Sequence, residues 1–276
     1  MPRGSVAGGF AAITVAIVVT TRPASAEDPF EIQVYDATAN PPGVPGLELH
    51  LNDWLTGHRT STPPEAPLHG QFHTTFEPSL GVTPIWEIGA YVQFALREDD
   101  RAFDWAGAKL RSKWVTPPGW DAHVRLGVNL EVSYLPSIYD RNRWGSEVRP
   151  IVVWQSREWL FALNPILDDA LAGPDSSAGP YFEPAFKLAR TVGPVAVGFE
   201  TYSSFGPLSS PLAWREQFHQ IFEVLDILSV PLWELEAGIG EGLTPSSAGL
   251  VVKAIVGYSF ERTTEMAMRA SNRNPP

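Results

Sequence analysis

"HVRLGVNLEVSYL" (residues 123–135) alternates almost without a break. Val124, Leu126, Val128, Leu130, Val132 and Tyr134 share one parity, while His123, Arg125, Gly127, Asn129, Glu131 and Ser133 share the other. Period two means a β-strand with one apolar and one polar face. The length is unusual, since strands in soluble proteins average about 5–6 residues. A strand that crosses a bilayer needs about 9–11 residues at a tilt of roughly 45°.

The same pattern recurs on both sides of this stretch. Alternating segments are expected near 47–55, 71–81, 86–97, 104–115, 121–134, 145–155, 158–167, 181–191, 195–204, 215–227, 233–243 and 249–260. In "WEIGAYVQFALR" (86–97), Trp86, Ile88, Val92, Phe94 and Leu96 oppose Glu87, Tyr91, Gln93 and Arg97. The links between segments alternate in length: "TGHRTSTPPEAPLHG" is followed by "GVTP", and "LPSIYDRNRWG" by "QS". Brief turns at one end and larger loops at the other, with an even strand count, describe an outer-membrane barrel. A Greek-key sandwich has no reason to sort its loops this way. Rings add a third signal. Trp86, Trp105, Trp144, Trp159, Tyr181 and Trp233 open strands, and Trp114, Tyr134, Trp154, Tyr258 and Phe260 close them, as interfacial girdles require. The fold class is therefore all-β, a single antiparallel up-and-down transmembrane β-barrel of about twelve strands.

On this reading the polar parity faces inward. A charge facing lipid at mid-depth costs about 2–4 kcal/mol for Arg or Lys. The expected lumen lining is Glu87, Lys109, Arg111, Lys113, Arg125, Asn129, Glu131, Glu147, Arg149, Glu183, Lys187, Glu200, Glu234, Glu236 and Lys253. Arg125, Glu131, Glu183 and Lys187 are expected to pair with charges on neighbouring strands. Two roles stay open for the set: an ion-pair network that fills a narrow barrel, or the wall of a route for a small solute.

Composition sets the wider limits. The chain has 276 residues, no cysteine, and 20 Lys+Arg against 31 Asp+Glu. Disulfides are excluded, and the acidic balance argues against a nucleic-acid partner. Residues 1–26 read as a removable export signal: Arg3, the apolar run Phe10 to Val19, then Ala24-Ser25-Ala26 with cleavage expected after Ala26. The remaining divisions are a Pro-rich lead-in at 27–46, the barrel at 47–260 and a polar tail at 261–276.

Other chemistry finds no supporting pattern. His58, His69 and His73 cluster in sequence, but in extended chain the last two lie about 13 Å apart, so no metal site is expected. "GIGEG" (238–242) imitates part of a dinucleotide fingerprint without its strand-to-helix context. His123 with Ser133, or His219 with a loop serine, could be drawn as a lipid-acting enzyme's site, yet nothing selects them. No catalytic residue and no cofactor is expected.

Several phrases resemble one bacterial outer-membrane transporter family, grouped with the meta-pathway phenol-degradation barrels. They are "GLELHLN" (46–52), "GAKLRSKW" (107–114), "EVRPIVVW" (147–154), "LNPILD" (163–168), "FEPAFKLAR" (182–190), "YSSFGPL" (202–208) and "VVKAIVGYSF" (251–260). The resemblance implies a barrel in the outer membrane of a Gram-negative cell that passes or binds small, often hydrophobic molecules. The expected partners are the bilayer, the barrel-assembly machinery and an unidentified small-molecule solute. The expected function is passive passage of a small hydrophobic or aromatic molecule. A plugged binding or structural barrel is the alternative, and a lipid-acting enzyme a more distant one.

Overall fold

The computed structural model describes residues 28–98, 101, 103–247 and 249–261. The expected export signal and nearly all of the polar tail lie outside the described residues. The strands are β1 (Pro45–Asp53), β2 (Phe72–Thr83), β3 (Trp86–Leu96), β4 (Phe103–Val115), β5 (Val124–Tyr134), β6 (Trp144–Gln155) and β7 (Trp159–Asn164). They continue as β8 (Leu167–Ala172), β9 (Tyr181–Phe182), β10 (Ala185–Val192), β11 (Val195–Ser204), β12 (Phe218–Ile227), β13 (Trp233–Gly242) and β14 (Leu250–Ser259).

Twelve of these close a ring: each pairs antiparallel with its neighbour, β7 passes to β10, and β14 returns to β1. Closure leaves no edge strand unpaired. The other two, β8 and β9, stand outside the ring count and prolong β7 and β10 in unbroken register. Val152 pairs with Leu163 and Val148 with Leu167; Ala185 pairs with Asn164 and Phe182 with Leu167. Pro165 and Pro184 mark the interruptions, because neither can donate an N–H to the ladder.

Strand ends differ from the expected ones by a few residues. Residues 121–123 form a turn before β5, where the Asp121 carboxylate accepts from the backbone N–H groups of His123 and Val124. Those two bonds hold its pKa below the usual carboxylate range. Residues 215–217 likewise precede β12. Gly107 sits at a register shift between β3 and β4 with φ of +148°, a conformation L-residues avoid.

The outer face is apolar along most strands. Val124, Leu126, Leu130 and Val132 of the opening stretch point outward, with Leu126, Leu130 and Val132 exposed. Trp86 stacks on Trp114 at the end with short turns; Trp105, Tyr134 and Trp144 pack at the opposite end. Charges on the outward parity are few, with Arg190 and Glu241 lying near strand ends. Glu223 is exposed in the middle of β12, between Phe199 and Ile239 of the adjacent strands.

Candidate functional site

Residues 28–40 run through the interior of the ring without joining the sheet, and an exposed turn at 41–43 leads to the first backbone bonds with β2, between Gly43, Val44 and Gly81. "FEIQVY" (30–35) alternates like a strand, and buries Phe30, Glu31, Ile32, Val34 and Tyr35. Its backbone groups must be satisfied somewhere, and wall side chains supply the partners. Asn164 accepts from Tyr35 N–H at 2.7 Å and donates to Tyr35 C=O at 3.1 Å. Lys253 donates to Ile32 C=O at 3.0 Å, Arg149 to Gln33 C=O at 3.3 Å, and Thr75 to Phe30 C=O at 2.9 Å. Arg125 donates to Asp36 C=O at 3.0 and 3.1 Å. The segment is fastened from every side.

Two unlike inner faces receive it. On one side Ile32, Val34 and Ala37 join an apolar cluster with Ile151, Val153, Ala162, Phe218, Phe222, Val224 and Val251. On the other lie the charges. Lys109 contacts Asp28 at 2.5 Å, and Glu31 and Glu131 at 3.2 Å. Asn129 donates to Glu131 at 2.7 Å. Arg149 holds Glu147 bidentately at 2.7 and 3.0 Å, and its guanidinium lies 4.4 Å over the Tyr35 ring. Arg111 bridges Glu77 and Glu87, while Lys113 reaches Glu87 at 3.0 Å. Glu87 also accepts from the Asn40 backbone at 2.7 Å. Further round, Lys187 meets Glu200, Asp226 and Glu236, and Lys253 meets Glu200 and Glu236.

Fourteen of the fifteen expected residues are buried or half-buried, and Glu234 is exposed. Glu131 goes to Lys109, and Arg125 to Asp36 of the inner segment. Glu183 takes Ser204 as its partner at 2.7 Å, while Lys187 turns to carboxylates on β11, β12 and β13. The sequence reading missed Asp28, Glu31, Glu48, Glu77, Tyr91, Asn164 and Asp226. Parity alone marks Glu48 and Glu77, which share faces with His50 and His73; nothing local marks the lead-in as an interior element.

The glycines of "GIGEG" have a packing reason. A Cβ on Gly240 would lie 2.4 Å from the Phe222 ring, and one on Gly238 would lie 3.1 Å from the Lys253 side chain. His58, His69 and His73 do not converge: His58 contacts Ser246 C=O, His69 the Gly57 N–H, and His73 Pro29 C=O and Gln71. A compact His–carboxylate group does form from Glu48, His50 and Glu77, with ligand atoms within 4.8 Å of one another. Arg111 already supplies positive charge there, 2.6 Å from Glu77. His123 and Ser133 lie ten residues apart along one extended stretch, too far to meet. The His219 ring is held between Ser203 at 2.8 Å and Gln217 at 2.9 Å under Trp214, and among the described residues no carboxylate completes a relay.

No family model matches the chain, and no curated protein does. Solved structures do. A COG4313 outer-membrane channel from Pseudomonas putida F1 superposes with a TM-score of 0.57 at 12% identity, covering 83% of this chain and 100% of that one. The NanC porin gives 0.52 at 7% identity over 78% and 98%, and the KdgM porin 0.51 at 10% identity over 78% and 99%. The likeness extends to the fold, a closed twelve-stranded antiparallel β-barrel. The solved channels share that ring with it.

Proposed function

We propose that this barrel sits in the outer membrane of a Gram-negative cell, inserted by the barrel-assembly machinery, and lets small solutes through passively. Residues 28–40 set its aperture. One observation carries the reading: this interior segment is tied to the wall by individual side-chain bonds, and backbone pairing with β2 begins only at Gly43 and Val44. It can shift without opening the ring. The apolar inner face over Phe218, Phe222 and Val251 suits a hydrophobic or aromatic molecule, in keeping with the resemblance to phenol-degradation barrels. Channels among the structural neighbours support the same direction. The lumen-lining charges then hold the segment in register and shape the polar side of the route.

The filled interior also favours a second state, in which the barrel at rest is closed. Liposome uptake of a panel of small aromatic and charged solutes, with planar-bilayer conductance, tests the proposal. Correctly folded barrels that neither conduct nor take up any solute would refute it.

A further inference from the structure

Two carboxylates, one exposed and one half-buried, stand near the end of the ring that carries the short turns. Glu234 shares its inward parity with the buried Glu236, yet it is exposed. The Glu48 side chain keeps 24% of its surface. They belong to β13 and β1, and β14 between them puts Gly257 in the gap. A Cβ on Gly257 would lie 3.0 Å from Glu234 Cβ and 3.0 Å from Glu48 Cγ. The two acids therefore flank a position with no side chain.

Among the described residues neither acid has a Lys or Arg partner in an ion pair; Glu48 has His50 at 3.8 Å, which lies closer to Glu77 at 3.0 Å. The inward cations, by contrast, are each engaged by a carboxylate. The group that lies between Glu48 and Glu234 is the Gln33 amide. Its Nε2 stands 3.2 Å from Glu48 Oε2 and 3.3 Å from Glu234 Oε1. Two carboxylates aimed at one N–H-bearing nitrogen form a better site for a charged nitrogen than for a neutral one, because charge-assisted hydrogen bonds are roughly twice as strong.

We propose that Glu48 and Glu234 are the selectivity-determining pair of the channel: they favour small cations that carry N–H groups, such as ammonium, amidinium or guanidinium. Such a cation displaces the Gln33 amide as it passes, and anions are opposed. This rests on the channel reading above and names the charge class that the route selects.

The test is planar-bilayer recording of the full chain in a KCl gradient. The expected permeability ratio of K⁺ over Cl⁻ is about 3 or more, as a water-filled acidic constriction imposes. Ethylammonium is expected to reduce the K⁺ current at concentrations about tenfold below those needed by tetramethylammonium, which has the charge without the N–H groups. Glu48→Gln with Glu234→Gln should bring the ratio towards 1 and make the two ammonium ions equivalent. Gln33→Ala should strengthen the ethylammonium effect by removing its competitor, and Glu241→Gln, on the outward parity of β13, should change neither. A native ratio at or below 1 overturns the inference. So does an unchanged ratio in the double variant when its heat-modifiable gel mobility shows an intact barrel. A chain that passes no current removes the channel reading and this inference together, whereas current without cation preference removes the inference alone.

Discussion

Asn164→Ala should loosen the interior segment while leaving the ring closed. Asn164 is fully buried and spends both ends of its amide on Tyr35, at 2.7 and 3.1 Å. A neutral hydrogen bond contributes about 0.5–1.5 kcal/mol net, so losing two costs about 2 kcal/mol. At 1.4 kcal/mol per factor of ten, the population with the segment displaced should rise about 30-fold. The absence of native cysteine makes this measurable. Val34→Cys places a thiol on the buried segment, against the apolar wall. Its labelling by a membrane-impermeant maleimide should be slow in the otherwise native chain and about 30-fold faster with Asn164→Ala. Equal labelling rates in two barrels of unchanged heat-modifiable mobility would show that Asn164 does not hold the segment.

Lys253→Met removes one of the two lysines that meet Glu200 and Glu236 and frees the Ile32 carbonyl, leaving Lys187 alone to balance three buried or half-buried carboxylates. The expected loss is about 3–5 kcal/mol, read as a lower unfolding temperature of the gel-shifted form; an unchanged temperature would contradict the pairing. Glu223→Leu should stabilise the barrel, by up to about 2 kcal/mol since carboxylates cost less than Arg or Lys at mid-depth. Urea titration in vesicles checks the sign. Gly240→Leu drives atoms into the Phe222 ring and should cut recovery of folded barrel sharply; ordinary recovery would mean that β12 and β13 lie differently.

The strand count, the loop alternation and the inward parity of Arg125, Asn129 and Glu131 were legible because lipid imposes one rule on every outward position. An exterior residue is apolar with few exceptions such as Glu223, whatever its neighbours are, so local pattern suffices. The interior obeys no such rule. On β12, Phe218, Phe222 and Val224 point inward to meet Ile32 and Val34, while Glu223 points out, so both parities of "FHQIFEVLDI" look mixed. The interruptions at Pro165 and Pro184 were visible as prolines, but their consequence was not, since β8 and β9 keep the register on either side.

By itself the sequence determined a ring of long amphipathic strands with charge on its inner side. Only the tertiary structure decided what that charge meets. Asp28, Glu31 and Tyr35 lie far along the chain from Lys109, Arg149 and Asn164, and only closure of the ring brings them within hydrogen-bond reach. The same closure sets Glu48 and Glu234 on either side of Gly257. Alternation is a property of neighbours in sequence and survives in any register. Partnership depends on which strands adjoin and on what threads the space between them.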